Sequence, residues 1–165
     1  MVRIVQRHFA GGKIAIRYRA DLRDTAGNPA HAATFIRRRE IVLDPSLKSR
    51  PREYRRILLH EYFHFAWVRL GNQRRLAWEA YLESEWNSGG RGEAGWSAEW
   101  RKQNLSTGDV VQRSRHWREY CCESFCDTAA WLTGAIDSEV TLAETRRLSR
   151  RSWFEAQFRG YVFPI

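Results

Sequence analysis

Residues 60–64 read HEYFH: His60 and His64 stand four apart, with Glu61 directly after the first. On a helix, positions i and i+4 share one face, so both imidazoles can reach a single cation. Zinc accepts neutral imidazole nitrogens and favours near-tetrahedral sets. Glu61 then projects beside the ion rather than onto it. There its carboxylate can take a proton from a water and deliver it to a leaving amine. Two helical histidines can equally be ordinary core or surface residues. The flanks, RILLHEYFHFAW, are apolar, so this helix is expected to be largely buried. Buried histidines need partners, and a metal ion is one.

A zinc site needs a third protein ligand, and a second long helix, 114–134, is the place to look. It carries Glu119, Glu123 and Asp127, each four apart and so on one stripe. Like charges at that spacing repel, so something positive is expected beside them. His116, one turn before Glu119, is a further candidate and would make a three-His site. Cys122 and Cys126 are also four apart and could be soft metal ligands. The preferred reading makes them small packing residues beside the carboxylates.

HEYFH followed downstream by ESFCD resembles the gluzincin class of zinc metallopeptidases, with its HExxH and ExxxD motifs. In that family the two histidines and the Glu of ExxxD bind zinc, the Asp orients a ligand histidine, and the Glu of HExxH is the general base. The resemblance therefore implies His60, His64 and Glu123 as zinc ligands, Asp127 as the orienting group and Glu61 as the catalytic base. ESFCDTAA is similar to the ExxADxxA of compact gluzincins, with Cys126 in the small-residue place. EYCCESF, 119–125, is similar to the ExxANxF form of small regulatory gluzincins, an alignment that makes Glu119 the third ligand instead. The aspartate at the right offset after Glu123 favours the first alignment. The resemblance covers these two helices only. It implies a zincin-like fold, a peptide or protein substrate, and an oxyanion-stabilising group, for which Tyr62, Tyr81, His116 and Tyr120 are all candidates.

The elements that must hold these residues follow from pattern. Residues 3–6 and 13–18 read as strands around the Gly11-Gly12 turn signal, and 24–31 as a loop. A β-rich run over 34–45 ends at Asp44-Pro45, with the Ile41–Leu43 stretch a strand and the peptide-accepting sheet edge expected within 34–44. Pro51 starts the HEYFH helix, with Ser49 as cap, and Gly71 ends it. Asn72 caps a helix running to about Trp86; 87–97 is a Gly-rich loop, and a short amphipathic piece, AEWRKQNL, follows. Thr141 or Ser138 begins a last helix, and GYVFPI is a tail packed on the body. The expected fold is a single α+β domain, 1–165. It is zincin-like: a small N-terminal mixed sheet on a helical bundle in which the HExxH and carboxylate helices pack face to face.

Composition bounds the rest. The 165 residues are 43% hydrophobic and 13% aromatic, enough for a sizeable aromatic core rather than a disordered chain. Among the Trp residues, 78, 86, 96 and 100 are expected in the core by default, a substrate cleft being the alternative. Three cysteines within six residues, Cys121, Cys122 and Cys126, argue against a disulfide framework and for a reducing compartment. No apolar run reaches signal-peptide or membrane-spanning length, so a cytoplasmic, intracellular protein is expected. Net charge is +9, carried by 25 Arg against 3 Lys. Short clusters at 37–39, 146–147 and 150–151 leave a weak nucleic-acid association open. The rival to a peptidase is a non-catalytic, zinc-containing regulatory or nucleic-acid/partner-binding module. Glu61 tells against it, because a structural zinc site needs no base.

Overall fold

EIVL, with its β-branched residues and no charge after Glu40, suits a strand covered on both sides, and it forms the middle of the sheet. The computed structural model describes residues 8–23, 27–134 and 140–165, so the strand expected at 3–6 lies outside them. Strands β1 (Phe9–Ala10), β2 (Ala15–Tyr18), β3 (Ala32–Phe35) and β4 (Glu40–Leu43) come first. β4 lies between β2, which it pairs in parallel, and β3, which it pairs antiparallel with Thr34 opposite Ile41. The sheet is mixed, as expected. The edge is more confined than expected: residues 34–35 lie on edge strand β3, whereas 40–43 are interior.

The run 34–45 is also not one strand. A 3-10 turn, Ile36–Arg38, breaks it, and Arg39 adopts a left-handed conformation, φ 50°. The Arg39 side chain explains the break, since its guanidinium donates to the Gly12 and Lys13 carbonyls and ties the turn to the start of β2.

Six α-helices follow among the described residues: α1 (Pro51–Arg69), α2 (Asn72–Asn87), α3 (Trp96–Gln103), α4 (Thr107–Val111), α5 (Arg115–Gly134) and α6 (Glu144–Phe158). Pro51 is the first residue of α1, where its missing N–H costs nothing. Ser49 is not the cap. It ends a 3-10 turn, with its hydroxyl donating to the Ser46 carbonyl, and Arg50 holds the cap position. Asn72 is the first residue of α2 rather than its cap, which is Gly71. Thr141 precedes α6 by three residues because its hydroxyl is engaged elsewhere, accepting from the Glu93 N–H and donating to Glu99. Ser138 lies outside the described residues. The tail pairs as β5 (Phe163–Pro164), parallel to β1. The chain is an α+β fold.

α1 is buried around much of its circumference because it is covered twice, by β3 and by α5, with which it shares the most extensive interface in the molecule. Phe125 of α5 is the hub of the core. Its ring centroid lies 5.1 Å from Trp67 of α1, 5.4 Å from Phe154 of α6, 6.1 Å from Phe63 and Trp78, and 6.3 Å from Phe163 of β5. Each such ring contributes about 1.5–3 kcal/mol by burial, and one residue thereby joins three helices and the C-terminal strand to α5. Trp78 is core, as expected, but Trp96 and Trp100 on α3 are exposed, at 66% and 50%. No described helix is long and apolar enough to cross a membrane.

The basic clusters are largely engaged. Arg38 lies over the Phe35 ring, Arg147 donates to the Val140 and Leu142 carbonyls, and Arg150 is fully buried.

Candidate metal centre

Helical spacing puts His60 and His64 on the same face of α1, and that face meets the Glu123–Asp127 stripe of α5. The His60 and His64 Nε2 atoms are 3.1 Å apart. Glu123 reaches both, with Oε2 3.2 Å from His60 Nε2 and Oε1 3.9 Å from His64 Nε2. Behind His60, Nδ1 lies 2.7 Å from Asp127 Oδ1. A hydrogen on Nδ1 donated to that carboxylate leaves the Nε2 lone pair facing His64 and Glu123. Three electron-pair donors then converge in a buried place, which needs a cation at its centre, whether proton or metal. Tetrahedral zinc with N and O donors at its usual bond lengths sets those donors about 3.4 Å apart. The trio is close to that spacing. It is a buried group that could hold a metal ion.

The electrostatics agree. Burial alone would lower the His60 pKa, but the Asp127 carboxylate and then Glu123 outweigh it and hold it well above its ordinary value. Burial likewise opposes charge on His64, yet Glu123 and Cys122 lift it to about 9. Glu123 is the converse: burial pushes it up, while His64, His60 and Arg101 hold it well below the usual carboxylate range. An arrangement that binds protons this firmly offers a metal ion the same negative potential, in competition with the protons.

The position of Glu61 differs from that of its neighbours. It is buried on the side of α1 that faces the sheet, where the Thr34 hydroxyl of β3 donates to Oε2 at 2.5 Å. The edge strand therefore fixes this carboxylate.

A further set of contacts was not read from the sequence. The Ser97 hydroxyl donates to Glu123 Oε2 at 2.6 Å, and Arg101 NH2 lies 3.3 Å from Oε1. Asp127 uses its second oxygen, Oδ2, to accept from the Ala98 N–H at 3.0 Å. Ala98 is the third residue of α3, the usual target of a capping side chain, while the cap residue, Gly95, has none. Asp127 thus caps α3 from another helix and holds His60 with its other oxygen. The one signal for this in the sequence is Gly95 in the Gly-rich loop, three residues before the amphipathic piece.

A Cβ at Gly95 would lie 2.5 Å from Asp127 Cγ. Gly95→Ala is therefore expected to push Asp127 off His60 and weaken binding of a divalent metal about 10–100-fold, as loss of an orienting partner does, with every ligand intact. Competition with a chromophoric chelator measures this. Gly108→Ala, whose new methyl would meet only Ser106 Oγ at 3.6 Å, is the control and should change nothing.

The other candidates stand apart. Glu119, the alternative third ligand, is 44% exposed on its side chain and accepts from Arg115 at 2.6 Å, outside the trio. It lies one turn before Glu123 on α5. His116 is exposed and faces Asp109 at 3.4 Å. The Tyr120 hydroxyl donates to Glu93, and that of Tyr81 donates to Glu85. Tyr62 packs against Phe9, and burial raises its pKa.

Cys121, Cys122 and Cys126 are free thiols. Cys122 Sγ and Cys126 Sγ each lie 3.6 Å from His64 Nδ1. The Cys126 hydrogen bond to Cys122 is the main cause lowering the Cys122 pKa to about 6, against burial, and burial raises Cys126 well above the ordinary thiol range. No protein-family model matches this chain, and no curated protein or solved structure is significantly similar to it.

Proposed function

We propose that the chain is a zinc-dependent peptidase of gluzincin type on a zincin-like fold. The observation that carries this reading is the pairing of the trio His60, His64 and Glu123 with a buried carboxylate, Glu61, one residue from the first ligand and fixed by the edge strand. His60, His64 and Glu123 would hold zinc, which supplies Lewis acidity by polarising a carbonyl oxygen and acidifying water. Asp127 keeps the His60 hydrogen on Nδ1, so that Nε2 is the donor. Glu61 takes the proton of a water as its oxygen bonds to the scissile carbonyl carbon. The same carboxylate then delivers that proton to the amide nitrogen as the C–N bond breaks. The Thr34 hydroxyl occupies Oε2 and leaves Oε1 for this transfer. An extended peptide substrate has β3 to pair with, because the outer side of that strand is unpaired among the described residues.

Elemental analysis tests the reading, with Cys122 and Cys126 both changed to alanine so that no thiol takes part. One zinc per chain is expected in that background. It should be lost on His60→Ala or Glu123→Ala and retained on Glu61→Gln. Zinc that survives Glu123→Ala there, or none in the background itself, would sink the assignment.

A further inference from the structure

We infer that His64, Cys122 and Cys126 form a second metal site, for a thiophilic divalent ion such as cadmium, with cobalt(II) as its spectroscopic stand-in, placed back to back with the first across the His64 ring. The inference stands on atoms that the peptidase reading does not use: His64 Nδ1 and two sulfurs. These three donors lie within 4.8 Å of one another. Cys122 and Cys126 are four apart on α5, so both thiols project from one face of that helix toward α1. Cys126 is buried, Cys122 half-buried, and the His64 side chain is 20% exposed, so the ring edge leaves a way in.

The spacing is that of a tetrahedral ion. With nitrogen and sulfur at their usual distances from zinc, roughly 2.05 and 2.3 Å, the N···S edge of a tetrahedron is about 3.6 Å. Both observed N···S separations are 3.6 Å. Equal approach to both is what a shared centre requires. Charge points the same way, because two thiolates and a neutral imidazole bring a divalent ion to zero net charge, which suits a buried place. Thiolate sulfur also sets the selectivity, since soft ligands favour soft ions over the hard cations that carboxylates prefer.

His64 belongs to both trios. A neutral imidazole has one lone pair, on Nε2 for the first trio or on Nδ1 for the second. An ion held through Nδ1 leaves Nε2 carrying a hydrogen and removes a ligand from the first trio. The sulfur site therefore competes with the first one for the same ring.

The test is titration of the reduced, metal-free Glu123→Gln chain with cobalt(II), following the near-ultraviolet thiolate-to-cobalt charge-transfer band. His60→Ala serves as a second variant disabling the first trio, and circular dichroism checks that each is folded. One equivalent of cobalt should produce the band in both. Cys122→Ala, Cys126→Ala or His64→Ala, added to either, should weaken binding roughly 100-fold or more, beyond the effect of losing an outer partner. Folded variants with titratable thiols and no band would overturn the site, leaving the sulfurs as hydrogen-bond partners of the ring. Because each of these chains lacks one ligand of the first trio, Glu123 or His60, that result is separate from failure of the zinc assignment, which is read with both cysteines removed.

Discussion

Arg150→Ala is expected to destabilise the chain by about 3–5 kcal/mol, the cost of removing one partner from a buried ionic group. Arg150 is wholly buried and is the common partner of two buried carboxylates. Its Nε and NH2 donate to Glu85, with NH2 at 2.6 Å, and NH1 donates to Glu93 at 2.6 Å and also to Ser124 and Thr128. Glu93 further accepts from Lys102, Tyr120 and Ser124. Two cations therefore face two carboxylates, and alanine at 150 leaves a buried net negative charge with its acceptors unfilled. For a domain whose whole stability is of order 5–15 kcal/mol, that loss is decisive. Urea unfolding measures it, and a change below about 1 kcal/mol would refute the network's role.

The same network predicts how stability follows pH. Burial pushes Glu93 up, but Arg150, Lys102 and Tyr120 together outweigh it and hold the carboxyl at about 2, against an ordinary 4.5. A folded pKa below the unfolded one means that Glu93 contributes its full stabilisation above pH 4.5, and that this is lost as pH falls towards 2. The contribution is on the order of 3 kcal/mol. In Arg150→Ala this part of the acid loss should shrink, since Glu93 has then lost its main partner and keeps only Lys102 and Tyr120 against burial.

This network was illegible in the sequence for a physical reason. Arg150 sits in RRLSRRSWF, where Ser149, Arg151 and Ser152 expose polar side chains, and nothing local distinguishes the one arginine that turns inward. Its partners lie 22 to 65 residues away, so the pairing exists only once α2, the Gly-rich loop, α5 and α6 have packed. The HEYFH helix is the opposite case. Its two histidines are four apart, its flanks are apolar, and its start at Pro51 and its stop before Gly71 are local chemistry, so both the element and the shared face of His60 and His64 could be read directly. The α5 stripe was half legible. Spacing gave Glu119, Glu123 and Asp127 a common side, but a stripe spans several turns and only the turns facing α1 meet it. Thr34 and Ser97 were missed because a single hydroxyl carries no pattern, and the pairing of β1 with β5 was missed because two residues per strand are too few to show alternation.

The packing also explains what the stretch between the two motif helices does. Glu93 of the Gly-rich loop is anchored in the Arg150 network, and Lys102 near the end of α3 donates to that same carboxylate and to the Gly92 carbonyl. Both ends of α3 are thus tied down, which presents Ser97, Ala98 and Arg101 to Glu123 and Asp127. A network with no chemistry of its own sets the position of the groups that orient the candidate metal trio. Its loss should therefore reach the site as well as the fold.

Glu61→Gln carries the largest expected effect on rate. Gln keeps the shape of the side chain and can still accept from Thr34, so the fold and the metal trio should be untouched. It cannot take a proton from water, and general acid–base catalysis of this kind accounts for about 10²–10⁴ in rate. Hydrolysis of fluorogenic peptides by the zinc-loaded chain should fall by that factor in kcat/KM, equivalent to roughly 3–5 kcal/mol of barrier. Thr34→Val provides the graded comparison. It removes the hydroxyl that fixes Oε2 but leaves the base, and so should cost only about tenfold, as loss of an orienting partner does. The order of the two variants is the informative result. If Glu61→Gln hydrolyses peptides within a factor of about two of the parent, the carboxylate is structural, bound to β3 as a strut between helix and sheet. Peptide cleavage would then proceed without Glu61 as its base, and the gluzincin mechanism proposed for the trio would fall.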